Sequence, residues 1–173
     1  MGSVHANRDE LTLLEYGLPV APTERICAWQ LDVLAARPWL DARRGALVEG
    51  HGDLRPEHVC LDGEPQVIDC LDFSRALRTQ DAVDDLGFLA LECTRLGAPR
   101  IGAAILDGYR HASGDDVPPA VVGFYQSLRA CVRARLAIRH LREPALAQNP
   151  LWRARAEAYL GIAQELVEDG RMP

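Results

Sequence analysis

Apolar residues recur at helical spacing along most of the chain, and the pattern breaks at proline, glycine and capping residues. Ile26, Trp29, Val33 and Leu34 mark one face of a helix that Thr23 would cap and Glu24 begin. Pro38 interrupts it, Trp39-Leu40 opens a second short helix, and both tryptophans read as core. Before Thr23, residues 1–7 read as loose and Arg8 to Tyr16 as a short helix ended by Gly17 and Pro19. Leu86, Leu89, Cys93 and Leu96 predict a helix from Gln80 to about Leu96, with Glu92 and Arg95 off its buried face. Another runs from Pro99 to about Ala112 and is closed by Ser113-Gly114. Pro118-Pro119 opens the longest, reaching about Arg142 on a stripe of Val121, Phe124, Leu128, Cys131, Val132 and Leu136. Beyond a linker bracketed by Pro144 and Pro150, a last helix spans about Leu151 to Glu168.

Residues 48–73 break the helical period. Val59-Cys60-Leu61 and Gln66-Val67-Ile68 are two short runs rich in β-formers, joined by Asp62-Gly63-Glu64-Pro65, a hairpin turn signal. Folding that hairpin sets the residues before its first strand beside those after its second, so Asp53 and His58 face Asp69. Such a trio of polar side chains at the base of a rigid hairpin suits a metal ion or a phosphate. Residues 70–80 then read as loop, with Arg75 and Arg78 close together. The predicted fold class is mainly α with a small β-hairpin: helices, the hairpin, then four helices, in a single domain over residues 1–173.

Composition narrows the function. Nineteen basic against 25 acidic residues give a net charge of −6, which disfavours nucleic acid as a partner. Every basic residue is arginine. Arg129, Arg133, Arg135, Arg139 and Arg142 line the longest helix and read as a solvated or salt-bridged face rather than a binding patch. Five widely spaced cysteines without a Cys-x-x-Cys pair read as free thiols in a reducing compartment. With no signal peptide and no membrane-spanning apolar run, the chain is expected to be cytoplasmic. His5, His111 and His140 are isolated and carry no assigned role.

The segment His51-Gly52-Asp53-Leu54-Arg55-Pro56-Glu57-His58-Val59 resembles the catalytic loop of the aminoglycoside phosphotransferase family, which has a protein-kinase-like fold. Val67-Ile68-Asp69 resembles that family's second metal-binding segment. The resemblance implies a helical kinase-like C-lobe, with a catalytic loop over residues 50–58 and a metal-binding segment over 67–73. It also implies ATP-dependent phosphoryl transfer to a hydroxyl of a small molecule. Asp53 takes the place of the base, and His58 and Asp69 the places of the metal ligands for magnesium or manganese. Arg55 would touch a phosphate, with a structural ion pair as the alternative, and Asp72 ranks behind Asp69 as a ligand. The spacing of Asp81 and Asp85 resembles a further family segment, in which the counterpart of Asp85 holds the catalytic loop through backbone hydrogen bonds. The sequence departs from the family at His58, where asparagine is usual.

Nothing in these residues resembles the family's N-lobe. There is no Gly-x-Gly-x-x-Gly, no Gly-x-x-x-x-Gly-Lys-Ser/Thr and no lysine, and only 50 residues precede His51. Three readings follow: a C-lobe inactive alone for lack of its nucleotide-binding lobe, a pseudokinase-like binding or assembly module, or a truncated piece of a longer protein. A face left bare by the missing lobe, near residues 17–40, would be covered by a homodimer or a separate N-lobe-bearing chain.

Overall fold

The computed structural model describes residues 1–36 and 38–169. In chain order the helices and strands are α1 (Gly2–Leu11), α2 (Val20–Ala35), α3 (Pro38–Ala42), β1 (Leu47–Glu49), β2 (Val59–Cys60), β3 (Gln66–Val67), α4 (Arg75–Arg78), β4 (Thr79–Asp81), α5 (Ala82–Arg95), α6 (Pro99–Ser113), α7 (Pro119–Arg139) and α8 (Pro150–Asp169). Short 3-10 turns at Leu14–Tyr16, Arg43–Ala46, Pro56–His58 and His140–Arg142 complete them. The mainly helical class read from the sequence is observed. No described helix is long and apolar enough to cross a membrane.

The chain divides into two compact units, residues 1–37 with 126–173, and residues 38–125. In the first, α1 packs on α2 and α2 on α8. Of residues 1–7, expected to be loose, all but Met1 belong to α1, whose buried positions are Val4, Asn7 and Leu11. The polar Asn7 in the middle of that face hides its helical period. Thr23 is not a cap: it lies inside α2, and its hydroxyl donates to the Pro19 carbonyl at 2.8 Å. Gln30 is buried on α2 and its amide nitrogen donates to Ser127 Oγ at 2.8 Å, while its Oε1 finds no donor among the described residues. The buried face of α7 also differs from the expected stripe. Ala130, Ala134, Ala137 and Ile138 are buried, whereas Leu136 is exposed. Small side chains carry the packing there, which a count of large apolar residues misses. The far end of the arginine row, at the close of α7 and in the turn after it, is salt-bridged. Arg139 and Arg142 reach Glu10 at 2.9 and 2.8 Å, and hydrogen bonding to Arg139, ahead of the other arginine charges, holds the Glu10 carboxyl below its ordinary range.

In the second unit β1 pairs antiparallel with β4, Leu47 opposite Asp81, and β2 pairs with β3, Val59 opposite Val67. The hairpin was anticipated. The β1–β4 ribbon was not, because residues 70–80 were read as loop and Gln80-Asp81 as the opening of the next helix. Residues 75–81 instead form α4, capped by Ser74, and then β4. Helix α5 therefore begins at Ala82, with Asp81 as its N-cap accepting from the Val83 N–H at 3.0 Å. It is buried along most of its length. Glu92, expected outside, is buried and paired with Arg95 at 2.7 Å, while Leu96 is exposed. Helix α6 lies so close to α5 that a Cβ on Gly102 would come within 2.9 Å of the Ala90 backbone. Val83, Val117, Val121 and Val122 form a core cluster with Trp39, Leu106, Tyr109 and Tyr125. Beside it, Arg43 makes bidentate pairs with Asp81 (2.7 and 2.7 Å) and Asp115 (2.6 and 2.8 Å). Tyr109 and Tyr125 donate to the same two carboxylates at 2.8 and 3.3 Å. This network ties the turn before β1 to the start of α5 and to the loop before α7.

Candidate functional site

The loop that follows β1 is held from below by one carboxylate. Asp85, buried in the first turn of α5, accepts from the N–H of His51 at 2.6 Å and of Gly52 at 3.0 and 3.1 Å. This is the backbone-anchoring role that the family resemblance implied for Asp85. The glycines are required by the approach. A Cβ on Gly50 would lie 2.4 Å from the Asp85 carboxylate, and Gly52 has φ +88 with Leu71 packed against it. The loop is also laced to the chain beyond the hairpin: Gly50 N–H donates to Arg78 O, and Leu71 N–H to His51 O.

His51 adds a further tie that the sequence did not assign. Its Nε2 lies 2.7 Å from the Ile68 carbonyl and its Nδ1 3.3 Å from the Asp53 N–H. An Nε2–H tautomer satisfies both contacts, donating to the carbonyl and accepting from the amide. The His58 ring stacks on it, centroids 5.2 Å apart and 23° between planes.

His58 takes the opposite tautomer. Its Nδ1–H donates to the Asp53 carbonyl at 2.9 Å, which leaves the Nε2 lone pair as an acceptor. That nitrogen accepts from Arg55 Nη2 at 3.1 Å and lies 3.4 Å from Asp69 Oδ2. Asp69 is a non-glycine residue at positive φ, 61°, with its side chain 79% exposed, so the carboxylate stands clear of the hairpin base. Arg55 also donates through Nε to Asp53 Oδ2 at 3.0 Å and pairs with Glu57. The four residues singled out from the sequence, Asp53, Arg55, His58 and Asp69, thus form one connected group. Arg55 is its centre, engaged as an ion pair. Asp72 contributes a backbone carbonyl to Arg78 rather than its carboxylate to the group.

Two donors, His58 Nε2 and Asp69 Oδ2, fit one side of a metal ion. Ligands about 2.1 Å from an ion at neighbouring positions sit roughly 3.0 Å apart, close to the 3.4 Å observed. Among the described residues no three His, Cys, Asp or Glu side chains converge on a metal-sized site. The pair supplies at most two of an ion's ligands. Arg55 must release Nε2 before the nitrogen can ligate.

Apolar exposure surrounds this group. Leu47, Val48, Leu61, Val67, Ile68, Phe73 and Leu77 all expose large side chains, whereas within residues 17–36, part of the 17–40 stretch where a bare face was expected, no large apolar residue is exposed.

Over 95 residues, 54% of its length, the chain is 42% identical to the uncharacterized protein Rv2004c of Mycobacterium tuberculosis (strain H37Rv) and to the uncharacterized protein Mb2027c of Mycobacterium bovis. The match covers 19% of each, so the chain spans about a fifth of the length of the curated relatives it matches. No family model matches the chain. No solved structure matches it.

Proposed function

We propose that this chain is the catalytic, helical lobe of a kinase-like small-molecule phosphotransferase related to the aminoglycoside phosphotransferases. It would transfer the terminal phosphoryl group of ATP to a hydroxyl of a small molecule, with the nucleotide-covering lobe contributed by residues outside these 173. The observation that carries this reading is the Asp85 carboxylate bound to two loop amides, which holds Asp53 and His58 over the hairpin base beside Asp69. The exposed apolar side chains of residues 47–77 would form the seat of the missing lobe. Its setting would be the cytoplasm.

In this scheme Asp53 accepts the proton of the attacking hydroxyl, and Asp85 fixes the loop so that the carboxylate meets it at a constant angle. His58 Nε2 and Asp69 would hold the magnesium or manganese of the nucleotide, whose charge offsets that on the phosphate oxygens. Arg55 holds Asp53 and His58 together in the resting loop and, on release, is within reach of a phosphate. A second reading, a binding or assembly module without catalysis, draws on the same contact: Arg55 occupies both the base and the His58 donor.

Phosphate transfer from radiolabelled ATP to a panel of polyhydroxylated small molecules tests the scheme. The chain alone should show no turnover. The chain joined to a nucleotide-binding lobe should turn over, and Asp53→Ala should abolish that activity. Turnover that survives Asp53→Ala contradicts the catalytic assignment.

A further inference from the structure

The most basic part of the sequence takes no part in the candidate site. Residues 126–157 hold seven arginines against two glutamates, a balance of +5 in a chain of net charge −6. They form the later part of α7, the 3-10 turn after it and the start of α8. Arg139 and Arg142 are committed to Glu10. Arg155 is not: its guanidinium lies 5.6 Å from the centre of the Trp152 ring, and it meets no carboxylate among the described residues. His140 stacks on the same indole, with centroids 3.9 Å apart and 21° between the planes. The indole thus fixes two cationic or proton-donating groups in place.

A cleft of about 380 Å³ opens at this stack, lined also by Arg133, Leu136 and Glu143. The buried Trp152 indole N–H finds no acceptor among the described residues. Donors dominate the cleft, and its one carboxylate, Glu143, lies 3.9 Å from His140 Nδ1. The volume is at the small end of ligand sites, which run from roughly 300 to 1,000 Å³. Burying donors without acceptors is costly, and oxyanions satisfy guanidinium and indole N–H groups together.

We propose that this cleft binds a small polyanion through phosphate or carboxylate oxygens, with Arg155 as the charged donor beside the Trp152 indole N–H and Glu143 as the intrinsic competitor. The proposal does not depend on the phosphotransferase reading.

Calorimetric titration of the whole chain with inorganic pyrophosphate, and separately with citrate, in metal-free buffer tests it. Saturable one-to-one binding is expected for at least one of them. Arg155→Gln should weaken it about tenfold, as loss of a charged hydrogen bond does. Glu143→Gln should tighten it severalfold, a gain that a misfolded variant cannot produce. Arg100→Gln, on exposed α6, should leave it unchanged. Binding of pyrophosphate alone supports a phosphate ligand, and of citrate alone a carboxylate ligand. The proposal is overturned by saturable binding of neither, by equal losses in Arg155→Gln and Arg100→Gln, or by a Glu143→Gln variant that binds no tighter.

Discussion

Asp85 lies buried in the first turn of α5 and takes the amide hydrogens of His51 and Gly52 on its carboxylate. Changing it to asparagine turns one acceptor into a donor facing those amides. Asp85→Asn should therefore cost about 1–3 kcal/mol, the range for leaving a buried polar group unsatisfied. Thermal unfolding with amide exchange at His51 and Gly52 measures it; unchanged melting and unchanged exchange would remove Asp85 from its anchoring role. Within the group, the buried His58 presents an imidazole nitrogen where an amide oxygen is usual in the resembling family. His58→Asn should shift metal preference from manganese toward magnesium, because the hard ion favours oxygen. Paired titrations of the two ions read this out, and an unchanged ratio excludes direct ligation. The positions of Asp53, His58 and Asp69 were legible in the sequence because a hairpin turn fixes which residues meet across its base. His51 was not, since its ring is defined by the Ile68 carbonyl, a tertiary contact that no local pattern encodes.

Helices α5 to α8 were legible to within a few residues because proline, glycine and the apolar period agree at their ends. The misses have a common cause, which is polar or small residues occupying buried positions. Asn7 hides α1, alanines carry the packing of α7, and Glu92 is buried on α5 through its pair with Arg95. The β1–β4 ribbon was invisible for a related reason: Thr79-Gln80-Asp81 is a polar strand whose partner lies far back in the sequence. The Arg43 network at its end makes the strongest prediction at this scale. Arg43→Leu would leave Asp81 and Asp115 facing one another without their cation, at a cost of about 3–5 kcal/mol. It should also alter the response to acid. Hydrogen bonding to Arg43, and secondarily to Tyr109, holds the Asp115 carboxyl below its ordinary value of 3.8. That contribution to stability is complete above the ordinary value and is lost as pH falls through the lowered one. Denaturant unfolding across acidic pH should show this decline in wild type and a shallower one in Arg43→Leu; parallel curves would detach Asp115 from the acid response.

At the scale of the whole molecule, each unit has its own chemistry: the Asp53–Asp69 group and its apolar surroundings in residues 38–125, and the arginine-lined cleft in the unit that contains residues 126–157. A net charge of −6 will attract divalent cations weakly over much of the surface, so simple affinity cannot identify the site. Position can. The most direct measurement is a manganese titration in the presence of ATP, followed by paramagnetic broadening of the chain's nuclear magnetic resonance signals, in wild type and in Asp69→Ala. The account predicts that the His58 ring and the backbone of residues 51–58 and 67–70 broaden first in wild type, and that this selectivity disappears in Asp69→Ala. Broadening centred elsewhere, or an identical pattern in the variant, would contradict a metal-dependent phosphoryl-transfer site built on His58 and Asp69.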